Sequence, residues 1–144
     1  LARLTQNPIW EQKAGELAEA FGKSIAAMPE AYADFLCGAD FSLYPGAQGV
    51  IVCPEQTSKV RTLLKSANAV YAPNSAIWLK TLKNADALGQ MAEFIRAFSF
   101  GIDLECWLLG PDGKWHQMPP DAWGAAFSSQ LGLDGEVLAN ESAR

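Results

Sequence analysis

Histidine is almost missing from this chain: His116 is the only one in 144 residues. Three cysteines, Cys37, Cys53 and Cys106, are odd in number and widely spaced, and no C-x-x-C occurs. That excludes a thioredoxin-type dithiol within these residues and argues against a disulfide framework. One imidazole and scattered thiols cannot supply the three or four ligands of a zinc site without carboxylates. Neither G-x-G-x-x-G nor G-x-x-x-x-G-K-S/T is present, so the glycine loops that cradle phosphates are lacking. No cofactor and no metal are expected. Positive charge is also short, with 11 basic against 16 acidic residues and a net charge of −5, which disfavours nucleic acid as a partner. The longest charge-free runs, Phe41–Pro54 and Ser66–Leu79, are 14 residues each and contain proline. A bilayer span needs about 20 apolar residues, so no membrane partner is expected. Three reduced thiols packed as small hydrophobes suit a cytoplasmic setting.

What is present is an ordinary folded composition, 49% hydrophobic and 19% charged, with room for about one core. Asn7-Pro8 is a helix start, after which Trp10, Ala14, Leu17, Phe21, Ile25 and Met28 recur at helical spacing. Pro29 closes that helix and opens another with Tyr32, Phe35, Leu36 and Ala39 on one face, so residues 1–45 are expected to form a helical hairpin. Val50-Ile51-Val52-Cys53 is a short β-branched run between Gly49 and Pro54, the pattern of a strand covered on both faces. Thr57 caps a helix carrying Val60, Leu63, Leu64 and Ala67; Ala76-Ile77-Trp78-Leu79 is a second buried strand. Asn84 is expected to cap a single helix bearing Leu88, Met91, Ala92, Ile95 and Phe98. Ile102–Leu108 starts with strand alternation, Gly110-Pro111-Asp112-Gly113 is a turn, Trp115–Met118 returns, and Pro119-Pro120-Asp121 begins a last helix with Trp123, Ala126 and Phe127. The order predicts an α/β fold: residues 46–128 as a small three-layer unit with a mostly parallel sheet and an antiparallel edge hairpin, preceded by the α-helical hairpin and followed by a flexible tail over 129–144. The opening Leu1-Ala2-Arg3-Leu4 carries neither an initiator Met nor a signal pattern, which suggests a piece of something longer.

Ligands of open α/β sheets sit beyond the carboxyl ends of parallel strands. Cys53, Glu55, Thr57 and Asn74 are the candidates for such a crevice. Cys53 ends a strand ahead of a helix N-terminus, where a thiol can be activated, yet its one possible imidazole partner, His116, lies about sixty residues on with nothing in the spacing to join them. Thr57, Ser58 and Lys59 offer a helix N-terminus to an anion, against which stand Glu55 and the absence of glycine. Asp103 and Glu105 share a strand face, most simply its wet side. The five tryptophans, at 10, 78, 107, 115 and 123, could stack sugars or bases but are dispersed along the chain, so packing is the simpler role. Residues 57–96 hold six basic and two acidic groups, read as a solvated helical face.

One larger pattern stands out. The apolar strand Gly49–Cys53, the helix ending at Asn68, the turn Tyr71-Ala72-Pro73-Asn74 with the strand after it, Leu104-Glu105-Cys106, and Met28-Pro29-Glu30-Ala31-Tyr32 upstream together resemble the C-terminal end of the thioredoxin-domain-containing family that includes bacterial YyaL and spermatogenesis-associated protein 20. The resemblance spans roughly residues 1–127 and implies that a thioredoxin-like domain and an (α/α) toroid lie upstream, with this chain as their C-terminal part. Family members often have Gly after the first strand, where Cys53-Pro54 stands here, and a second Cys after the one matched by Cys106, which this chain lacks. No catalytic residue carries over. The resemblance implies a non-catalytic accessory or interaction module whose partners are the upstream domains or a second copy of itself. A thiol-dependent or small-molecule-binding α/β enzyme and a stand-alone protein–protein interaction domain remain the alternatives.

Overall fold

A computed structural model describes residues 2–43, 46–69, 72 and 74–130. Helix α1 (Ala2–Thr5) is a single turn that the sequence did not announce, and α2 (Pro8–Ala27) follows it. Asn7 begins α2 as expected: its backbone is extended, and its side-chain oxygen accepts from the Ile9 N–H at 3.0 Å. Met28 and Pro29 end α2. A 3₁₀ turn, Pro29–Tyr32, leads into α3 (Ala33–Leu43), and the Phe21 and Tyr32 rings meet across it at 6.5 Å.

The sheet is built from β1 (Gln48–Val52), β2 (Ala76–Lys80), β3 (Glu105–Leu109) and β4 (Trp115–Met118), in the order β2-β1-β3-β4. Helix α4 (Ser58–Ala67) carries the chain from β1 back to a parallel β2, with Val50 opposite Trp78. The other two pairings are antiparallel: Ile51 opposes Cys106 and Leu108 opposes His116. The chain is therefore α/β with a mixed sheet whose parallel pairing is confined to β1 and β2. A tight turn joins β3 to β4, where Gly113 takes φ +72 and donates to the Gly110 carbonyl at 3.0 Å; glycine enters that left-handed conformation without a Cβ clash.

Helices cover both faces. On one, α4 and α6 (Pro120–Ser129) pack Val60, Ala67, Trp123 and Phe127 against Ile51, Cys53, Cys106 and Leu108. On the other, α5 (Ala85–Met91) and a 3₁₀ turn (Glu93–Ala97) bring Ala92, Ile95 and Phe98 onto Val50, Val52 and Trp78. Each large side chain so buried contributes about 1.5–3 kcal/mol. The expected single helix from Asn84 to Phe98 is broken at Ala92, whose backbone is extended (φ −135, ψ 90). Asn84 does not cap it. Its side chain accepts from the Thr81 N–H at 2.7 Å and donates to the Leu79 carbonyl at 2.8 Å, tying the loop after β2.

The N-terminal helices are packed quite differently. In the twenty residues of α2 only Ile25 is buried. Trp10, Leu17 and Phe21, which the periodicity assigns to an apolar face, are 40%, 52% and 44% exposed. Leu36 and Leu43 of α3 are exposed too. Of the tail expected over 129–144, Ser129 is the last residue of α6, and residues 131–144 lie outside the described residues, as do Tyr71 and Pro73 of the turn before β2.

Candidate functional site

Strand direction decides the fate of the expected crevice. Cys53, Glu55 and Thr57 follow β1 and so lie at the carboxyl ends of the parallel pair, where the Cys53 N–H donates to the Lys80 carbonyl at 3.0 Å. Asn74 precedes β2. A residue ahead of a parallel strand sits at its amino end, so Asn74 is at the opposite end of the parallel pair from the other three, and its side chain donates to Asp40 at 3.2 Å. Thr57 caps α4, its hydroxyl accepting from the Val60 N–H at 3.4 Å, and Glu55 is exposed. His116 pairs through Leu108 toward Gly49, the end of β1 away from Cys53. It is exposed and bonded to Asp112 at 3.0 Å, a contact that holds the Asp112 carboxyl below its ordinary range.

Both buried thiols are held protonated. Burial raises the Cys53 pKa; burial first, then the neighbouring Cys53, pushes Cys106 up to about 12, with Lys59 acting in the opposite sense. A nucleophile needs the thiolate, so the geometry opposes an active Cys53. With iodoacetamide near neutral pH, Cys37, which is exposed, is expected to label first, and Cys53 and Cys106 only as fast as the protein opens. Rapid labelling of Cys53 in the native state would contradict this. The linkage has a definite sign. The unfolded Cys106 loses its proton near 9.0 and the folded one near 12, so its contribution to stability is complete below about pH 9 and is lost between about pH 9 and 12. The slope is up to ~1.4 kcal/mol per pH unit per thiol. Urea melts at pH 8 and 10 should show a steeper loss for the wild type than for Cys106→Ala; equal losses would exclude the effect.

The remaining chemistry gathers on the face covered by α5. Lys80 is only 6% exposed, although the basic residues of this region read from sequence as a solvated face. Its ammonium donates to the carbonyls of Ile95 (3.0 Å) and Phe98 (2.5 Å) and stands 5.2 Å from the centre of the Phe100 ring. The lysine thus caps the end of the 3₁₀ turn, as a second donor to the Ile95 carbonyl, which also accepts from the Phe98 N–H at 3.2 Å, and as a donor to the Phe98 carbonyl. Trp78, Trp107 and Trp115, dispersed in sequence, converge here with Phe94 and Phe98. Phe94 stacks on Trp115 (5.8 Å, 7°), and Phe98 meets Trp107 and Trp115 edge-on, both at 5.4 Å. Each such pair contributes about 0.5–1.5 kcal/mol beyond its buried area. Phe94, Phe98, Trp107 and Trp115 border an open groove of about 660 Å³ that also includes Glu105, while Trp78 is buried behind them.

Glu105 is therefore not on the wet side of an edge strand. β3 is internal, flanked by β1 and β4, and its first residue is half-buried, with the Trp107 indole N–H donating to its carboxylate at 3.3 Å. Asp103 stays outside the strand and exposed. Within β3, Glu105 and Trp107 share a face by strand alternation; the neighbours on either side of β3 were not legible.

Searched against family models, curated proteins and solved structures, the chain matches none of them. Among the described residues there is no group of three or more His, Cys, Asp or Glu able to hold a metal ion, and no helix is long and apolar enough to cross a membrane.

Proposed function

We propose that this chain is a non-catalytic accessory module whose N-terminal helices dock on helices encoded upstream, as the resemblance to the C-terminal region of the thioredoxin-domain-containing family implies. The observation that carries this reading is the contrast in packing. Both faces of the sheet are covered by the chain's own helices, whereas α2 leaves Ile9, Trp10, Leu17 and Phe21 open to solvent. These residues lie at helical spacing, and so much aromatic and aliphatic surface on one helix marks an interaction site more often than a free face. A toroid of paired helices offers a matching apolar surface.

Freed from such a partner, the exposed face should drive self-association. In sedimentation velocity and dye binding, the chain is expected to dimerise or to bind a hydrophobic dye. A variant with Trp10, Leu17 and Phe21 changed to Gln should do neither while keeping its sheet. A strictly monomeric, dye-silent wild type would overturn the docking reading. The family reading is checked separately in the gene: a C-x-x-C domain and a long helical region encoded upstream of Leu1 support it, and an independent start codon there removes it.

A further inference from the structure

The groove beside β3 combines three features that bear on one kind of ligand. Its walls include Phe98, Phe100, Trp107 and Trp115, and aromatic faces attract organic cations. Glu105 contributes a half-buried carboxylate whose described partner is a neutral indole N–H; neither ion pair among the described residues involves it. A charge partly removed from water gains most from a counter-charge. No Lys or Arg lines the groove. Lys80 lies across Val52 from Glu105 on the same face of the sheet, but its ammonium is committed to the carbonyls of Ile95 and Phe98.

We propose that this groove binds a small organic cation, an amine or guanidine, with its charge against Glu105 and its carbon frame against Trp107 and Trp115. The volume of about 660 Å³ is that of a small-molecule site. A second recess of about 300 Å³ adjoins it through Gln6, Gly113 and Trp115 and contains Glu11. An elongated cation with a charge at each end would span one aromatic surface between two carboxylates.

Isothermal titration of the full chain with agmatine tests this, with a blocked arginine tetrapeptide and N-acetylglucosamine as comparisons. Saturable agmatine binding is expected, weakened by salt and at least tenfold tighter than either comparison. It should fall at least tenfold in Glu105→Gln, which keeps the shape and removes the charge, and in Phe100→Leu, which removes a ring. Thermal melts establish that each variant is folded, and should one not fold, the other decides. Absence of agmatine binding, unchanged affinity in a folded variant, or tighter binding of the peptide or the sugar would overturn the proposal.

Discussion

Replacing Gly49 with alanine is expected to destabilise the protein by about 3 kcal/mol, although it adds one methyl group. Gly49 sits in β1 between Ile77 of β2 and Leu108 of β3, so its backbone is held from both sides. A Cβ there would overlap Cζ2 of Trp123. The indole cannot withdraw. It is fully buried, stacked on Phe127 at 5.0 Å, and its N–H donates to the Trp107 carbonyl at 2.9 Å. Trp123→Phe removes the overlapped carbon and the hydrogen bond, at a cost of about 2 kcal/mol. In that background the alanine should cost only about 1 kcal/mol. Urea denaturation of the four proteins in a double-mutant cycle measures the coupling; additive effects would show that Gly49 and Trp123 do not press on one another.

The second large effect is expected at Lys80. Lys80→Met keeps the length of the side chain but leaves the carbonyls of Ile95 and Phe98 without the donor they have now. Losing two hydrogen bonds from a charged group, and stranding the Phe98 carbonyl while that of Ile95 keeps only the Phe98 N–H at 3.2 Å, should cost about 2–4 kcal/mol. The loss should concentrate where Phe98 and Phe100 meet the tryptophans, so the near-ultraviolet circular dichroism should weaken along with stability. Lys83→Met, three residues on and exposed, should stay within about 0.5 kcal/mol of wild type. Equal stability of the two variants would mean that the Lys80 ammonium holds nothing in place.

Much of the fold was legible because local chemistry and final environment agree. The unbroken β-branched run Val50–Val52 is covered on both faces, Thr57 and Asn7 cap the helices they precede, and Gly110–Gly113 turns. What was not legible depends on partners distant in sequence. Leu88, Met91, Ala92, Ile95 and Phe98 keep helical spacing through the break at Ala92. The segment folds back as a 3₁₀ turn whose end carbonyls reach Lys80, and nothing within that segment announces a lysine from β2. Lys80 itself is the last residue of β2, on the same face as Trp78, which is the one local hint that it goes inside. Asn74 adjoins a parallel strand in sequence, as Cys53 does, but strand polarity sets the two at opposite ends of the pair. The aromatic groove was not legible because Trp107, Trp115 and the Phe94–Phe100 segment come from separate elements, and only the folded sheet, with its order β2-β1-β3-β4, brings them to one face.

The helices that precede the sheet are the test of whether this chain docks on something larger. Hydrogen exchange followed by mass spectrometry, on dilute monomeric protein, measures their protection directly. Amides of α2 and α3 should exchange orders of magnitude faster than those of β1 and β3, because little apolar area holds the helices down, and their protection should rise with concentration as the exposed faces pair. Helices protected as strongly as the central strands in a strict monomer would contradict the docking account at its root.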